Sequence, residues 1–449
     1  MGKFKLGVVV GCVVGLSAAE AGAGSVTMDA AIPLKGVAEV HMVTSAGQVV
    51  PVIENNEAGP NPGGITVNRG GNHGIARAAN GKGIKLLRAA GDAAGSVFVR
   101  YRGYNDNGPE GRIRKVTSQN QSAFDKWLPI HDYAGIAADE AGGVYVGSHA
   151  SYAKDGEAWL TMTRHTTYRL GPTGEVVWKV EETGANAPMY DAGFTSVATR
   201  SAEGVFVGYG ILDAQKKSTP VLIHRNASDG SARYVRMGLT QENTRPTPSL
   251  ARRPGVPGGA PLGGRVSQIF VASDGSAIAT VEETHDPTIV RVDTHGVQTA
   301  VYTCGPNGGV VGHQNGEVSC VHGWVDGSIA VERYAIKDGN LALVGSYKTA
   351  AVAGWQMQSG VGLASGELLA AGTRNGKAAY YLYSAAGAPL GAASGIAGSV
   401  LYIGAAGGKY VAVGPEVSPN WIRYVGTYDV TPPAATPTVK PKLRRLPGL

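Results

Sequence analysis

The residues of this chain best suited to chemistry are imidazoles beside carboxylates. His131-Asp132 (PIHDYAG) and His285-Asp286 (ETHDP) are such pairs, Tyr190-Asp191 (APMYDAG) sets a phenol beside a carboxylate, and His149 follows an apolar run. Imidazole titrates near neutrality, and a neighbouring Asp can orient it or supply an oxygen ligand, so these groups suit acid–base work or metal ligation. Arg265 (GGRVSQ) and Trp355 (AGWQMQ) open apolar stretches, and Arg252-Arg253 sit in a Pro- and Gly-rich segment, so all four are candidate binding residues. The same residue types also build hydrogen-bonded turns without any ligand. No residue is assigned as catalytic or as a metal ligand, and no cofactor is expected. No nucleophile elbow, phosphate loop, HExxH or dinucleotide fingerprint stands in a fitting context. Tyr104–Gly111 (YNDNGPEG) lacks the alternating ligands of a calcium loop and reads as a hairpin turn.

The elements that must position these residues are short strands. Asp191–Gly230 reads strand, tight turn, strand, polar loop, strand, turn, and Ser231–Met237 (SARYVRM) supplies a fourth strand. Tyr133–Ser148, Ser267–Thr280, Gly360–Gly372 and Ser399–Gly414 repeat its first half, each a small apolar strand, a Gly-bearing turn and an alternating strand. Asp-Gly and Ser-Gly turns supply the positive φ that tight hairpins need. Leu86–Tyr101 and Gly316–Val331 fit less cleanly, with turns placed near Gly95 and Gly327. The turns recur about every 40 to 70 residues, a spacing that brackets the four-stranded blade repeat.

This pattern resembles a β-propeller over roughly Gly83 to Asp429. The resemblance implies an all-β fold of seven four-stranded antiparallel blades, eight being the alternative. The last unit runs out one strand short, after Ile422–Tyr428, and Val37–Ile53 is expected to close the ring there. The alternative makes Gly36–Leu87 an eighth blade. The resemblance also implies that loops entering each inner strand share a face with the second-to-third loops. His131, Asp132, Tyr190, Asp191, Arg265, His149, His285, Asp286 and Trp355 would then converge on one side.

Composition agrees with an all-β domain: Gly is 67 of 449 residues and only 16% are charged. The formal charge of +6 lies mainly at the ends. Of 40 basic and 34 acidic residues, six and one lie before residue 24 or in the last ten, which leaves 34 against 33. A phosphate-tracking surface needs clustered positive charge, so no nucleic-acid partner is expected. Residues 1–23 read as an export signal: Lys3 and Lys5, then apolar Leu6–Ala19, then Ala21-Gly22-Ala23. Cleavage before Gly24 is the first reading and lipidation at Cys12 (VVGC) the alternative. No transmembrane span is expected in the mature chain.

The mature chain then holds Cys304 and Cys320, a disulfide in an oxidising compartment or, otherwise, two buried thiols. Residues 24–430 are expected to form the propeller, and the Pro-rich basic tail 431–449 to be extended and disordered. These features point to an exported protein, periplasmic or at the cell surface, that binds a protein or surface component without catalysis. Two alternatives stay open: a hydrolase or lyase on a sugar or lactone at the channel mouth, and a subunit of a homo-assembly or filament.

Overall fold

Alternation within the second strands explains how the sheets stack. In Val97–Asn105 (VFVRYRGYN), Val97, Val99 and Tyr101 are buried on one face and Phe98 on the other. A strand apolar on both faces must lie between two neighbours, as in a sheet covered on both sides. The computed structural model describes residues 26–35, 37–46, 48–55, 64–69, 72–77, 84–105, 108–128, 135–153, 160–185, 197–212, 218–237, 264–282, 287–304, 308–313, 315–323, 326–363, 365–397, 402–406, 409–414 and 422–430. Among them are strands and turns only, in eight four-stranded antiparallel sheets.

Seven of these sheets use consecutive strands. Blade 1 spans 37–77, blade 2 85–127, blade 3 135–185, blade 4 197–237, blade 5 265–303, blade 6 309–348 and blade 7 355–397. Blade 8 joins Tyr402–Ala406, Lys409–Gly414 and Ile422–Val430 to the N-terminal strand Val26–Lys35. The architecture is thus the expected all-β propeller, with the larger of the two blade counts that the sequence allows.

The closing strand is a correction. Val26–Lys35, and not Val37–Ile53, pairs with Ile422–Val430, from Val26 opposite Val430 to Lys35 opposite Ile422. Val37–Ser45 and Gln48–Asn55 instead begin a blade of their own. Pro33 hides the closing strand in the sequence, because Pro reads as a strand breaker. It is tolerated here because the strand is outermost and one side has no ladder to complete.

Apolar clusters form between blades and not within them. Val52, Ile65 and Val67 of blade 1 meet Leu86, Val97 and Tyr101 of blade 2. Phe98 and Ile113 of blade 2 meet Val144 and Tyr168 of blade 3. The seams between blades 3 and 4, 4 and 5, 5 and 6, and 6 and 7 are built alike. First strands of neighbouring blades touch one another, from blade 8 onto blade 1 and on through blade 5, and again through blades 6, 7 and 8. They therefore form the inner edge of the molecule.

Close approach at that edge demands glycine. A Cβ on Gly362, in the first strand of blade 7, would stand 2.1 Å from the ring of His313 in blade 6. In blade 6 the strand assignment also shifts by one from the sequence expectation. Its first turn lies at Gly316, while Gly327 joins the second strand, Val318–Gly323, to the third, Ile329–Lys337. Asn315-Gly316 and Asp326-Gly327 are equivalent hairpin signals, so spacing alone could not order them.

Candidate functional site

Basic residues on third strands tie the turns of one blade to those of the next. Lys115, Arg169, Arg225, Arg291 and Arg333 stand at equivalent register, opposite Phe98, Tyr145, Val205, Ile278 and Ser319. Arg291 pairs with Asp274 at 2.6 Å and donates to Ser276 Oγ at 3.2 Å, holding its own inner turn. Arg169 donates to Asp139 at 2.7 Å and to the Ala227 carbonyl of blade 4 at 2.8 Å. Arg333 repeats this with Glu317 at 2.6 Å and the Ala385 carbonyl of blade 7 at 2.8 Å. Lys115 donates to the Gly142 carbonyl of blade 3 at 2.6 Å. Charge-assisted bonds of this kind are stronger than neutral ones, and here they fix blade against blade.

Three buried histidines, His165, His224 and His313, take partners that the sequence pattern does not reveal. His224 Nε2 lies 2.8 Å from Ser201 Oγ, and His313 Nε2 lies 2.7 Å from Ser319 Oγ. A serine beside an imidazole is the start of a nucleophile, which also needs a group to orient the base and access for substrate. Both pairs are buried, and His224 stacks on Phe206 with ring centroids 4.1 Å apart. Burial, reinforced by Arg233 at His224, and burial first at His313 too, hold both imidazoles at about 4, so they are neutral near pH 7. The pairs act as ties within blades 4 and 6.

The third group lies in the seam of blades 3 and 4. His165 stacks on Tyr209 with centroids 3.9 Å apart and planes 8° from parallel. Glu182 pairs with Arg225 at 2.7 Å, accepts from the Tyr209 hydroxyl at 3.3 Å, and lies 3.6 Å from His165 Nδ1. Burial lowers His165, with Glu182 opposing. Burial alone would raise the Glu182 carboxyl, but His165 and Arg225 outweigh it and hold it low. Among the described residues, no set of three or more His, Cys, Asp or Glu side chains is placed to hold a metal ion.

Of the residues expected from sequence, His131, Asp132, Tyr190, Asp191, His285, Asp286, Arg252 and Arg253 lie outside the described residues, as does the tail 431–449. His149 occupies the second strand of blade 3, Val144–Ala153, directly opposite His165, and its side chain is likewise outside the description. Arg265 opens the first strand of blade 5, half-buried and 3.8 Å from Glu282 across the hairpin. Trp355 requires correction. It opens the first strand of blade 7 as expected, but it is only 1% exposed and meets Tyr381 edge-on at 4.8 Å. The indole fills the seam of blades 6 and 7 and is not a contact surface. Cys304 and Cys320 are disulfide-bonded, with Cα atoms 5.3 Å apart.

No protein-family model matches the chain, and no curated protein does. Among solved structures, that of Sqt1 from Saccharomyces cerevisiae is similar at TM-score 0.52 and 9% identity, over 91% of this chain and all of that one. A eukaryotic initiation factor matches at TM-score 0.47 and 10% identity, over 90% of this chain and 92% of that one. Prolyl oligopeptidase B from Galerina marginata matches at 0.45 and 10%, over 77% of this chain and 51% of that one. The Sqt1 likeness shows the fold alone, and the two weaker ones add nothing to it.

Proposed function

We propose that the protein is exported and serves as a non-enzymatic binding or scaffold protein. It would meet a protein or cell-surface component through the connections that join second to third and fourth to first strands. The observation that carries this reading is how firmly the blades are fixed to one another. Apolar seams, repeated Arg and Lys ties and a disulfide make a rigid frame. Loops on a rigid frame are where recognition usually resides. The Cys304–Cys320 bond supports export, since disulfides persist in oxidising compartments.

The test is affinity capture from the native envelope with the mature chain, beginning at Gly24. His131, Asp132, Tyr190 and Asp191 are replaced together by Ala in one variant, and Glu203, on the opposite, inner-turn side of blade 4, by Gln in another. A partner held by the wild type and the Glu203→Gln chain, but lost by the fourfold variant, is the expected result. Equal retention by all three would move the surface elsewhere. Turnover of a sugar lactone that depends on His131 would replace the binding reading with an enzymatic one.

A further inference from the structure

Seven of the eight blades are each built from one unbroken stretch of chain, and blade 8 is built from two. Its outermost strand, Val26–Lys35, is separated from the first strand of blade 1, Val37–Ser45, by Gly36 alone. The other connections between blades run from four residues, 398–401, to 27, residues 238–264. Each leads from the outermost strand of one blade to the innermost strand of the next. That step crosses three ladder spacings, about 14 Å. Four connecting residues reach that far, whereas from Lys35 to Val37 the chain spans at most about 7 Å.

The ladder adds a second, independent observation. Leu34 and Lys35 pair with Arg423 and Ile422. On the other side of Ile422–Val430, the strand Lys409–Gly414 has its last rung at Gly414, opposite Tyr424. The final two rungs of the closing strand therefore lie beyond the end of the sheet inside it, at the point where the chain must turn inward. A tethered strand normally finds its own chain first, because the tether holds it at millimolar effective concentration. That advantage falls towards zero when the connection is too short to span the two sites. Pairing with a second copy makes the same rungs and needs no inward turn between the two strands.

We propose that two copies of this chain exchange Val26–Lys35, each strand pairing with Ile422–Val430 of the other copy. The register from Val26 opposite Val430 to Lys35 opposite Ile422 is kept, now between chains. Backbone bonding is the same in either form, so the one-residue connection decides between them. Exchange in both directions leaves no strand unmatched and gives a two-fold dimer. This dimer rests on backbone pairing alone, so it stands or falls separately from the proposal above.

The test is a disulfide placed across the exchanged ladder. Thr27 and Asp429 stand directly opposite each other, a separation that a disulfide can bridge. In the mature chain from Gly24 carrying Thr27→Cys and Asp429→Cys, the new bond joins two chains if the strands are exchanged and closes within one chain if they are not. Cys304 and Cys320 are buried and already bonded, so the wild type oxidised alongside is the blank. On a non-reducing gel most of the variant should run as bonded pairs. Insertion of about six Gly and Ser residues after Gly36 should lower that paired fraction about tenfold, because the longer connection lets the strand fold onto its own chain. Light scattering of the unmodified mature chain, which needs no substitution, should give the mass of two chains. A single-chain mass, bonds formed only within chains, or a paired fraction unchanged by the insertion would overturn the proposal.

Discussion

Two seams of the molecule do the same work by different physics. Between blades 3 and 4, His165, Tyr209, Glu182 and Arg225 form a buried polar cluster beside the apolar contacts of Val205 and Ile223. Between blades 5 and 6, Cys304 is bonded to Cys320, and Tyr302 meets Tyr334 at 4.5 Å while donating to the Leu341 carbonyl at 2.7 Å. The first seam depends on which groups carry charge. The second depends on a covalent bond and on apolar surface. One should therefore answer to mutation of a charge and to acid, the other to reductant.

The largest effect is expected from Glu182→Gln. Arg225 has a side-chain exposure of 3%, and without Glu182 its charge stays buried and uncompensated. Removing one partner of a buried pair typically costs about 3–5 kcal/mol. Arg225→Met should cost less, because the Glu182 side chain is 32% exposed and can take up water instead. Urea denaturation of both variants tests this asymmetry, and equal losses would show that the buried cation does not dominate the seam.

Next comes the other seam. Reduction of Cys304–Cys320, which closes a loop with a sequence separation of 16, should cost about 3 kcal/mol on the chain-entropy estimate. The double variant Cys304→Ser/Cys320→Ser should show the same loss in oxidising buffer and no further loss with reductant. Glu182→Gln should respond to reductant as the wild type does. If its response were much larger, the two seams would be coupled and not separate.

These seams also show what sequence could reveal. The disulfide was legible because the two cysteines that follow the apolar N-terminal stretch leave a single pairing. Blade turns were legible where a short Gly-bearing stretch punctuated apolar strands, as at Gly95, Gly142 and Gly275, all with positive φ. The polar seam was not. His165, Tyr209, Glu182 and Arg225 come from four strands, and only the stacking of two blades brings them together. One signal of the ties between blades does stand in the sequence: a basic residue recurs near the end of third strands, in IRKV, YRL, HRN and VRV. Trp355 misled because first-strand position was equated with exposure, whereas that strand also faces the neighbouring blade. The closing strand misled because Pro33 breaks every strand pattern except that of an outer edge.

Acid should separate the seams further. His165 is lowered by burial, and His224, in the adjoining blade, is held at about 4. An unfolded chain takes up these protons below about 6.5, while the folded chain resists until near 4 at His224, so the unfolded state binds more protons between those values. Stability is then fully present above about pH 6.5 and is lost as the pH falls towards 4, by at most on the order of 3 kcal/mol for His224. Hydrogen exchange, corrected for its intrinsic pH dependence, should show blades 3 and 4 loosening at pH 5 relative to pH 7. Blade 6 carries one such lowered imidazole, His313, against His165 and His224 in blades 3 and 4, so the seam between blades 5 and 6 should change less.

The smallest effect tests whether charge matters because it is charge or because it is buried. Lys179 and Glu181 form a 2.6 Å ion pair on the outer strand of blade 3, next to Glu182 in sequence, with both side chains 40% exposed. Water and salt screen such a pair, and holding two long side chains in place offsets much of the attraction. Lys179→Gln should therefore shift stability by no more than about 0.5 kcal/mol, in either direction. Raising the salt concentration should erase that shift and leave the loss from Glu182→Gln nearly intact, since a buried pair is poorly screened. Were Lys179→Gln to cost as much as Glu182→Gln, the strength of the polar seam would lie in the net charge of the outer strand and not in the closed environment of Arg225.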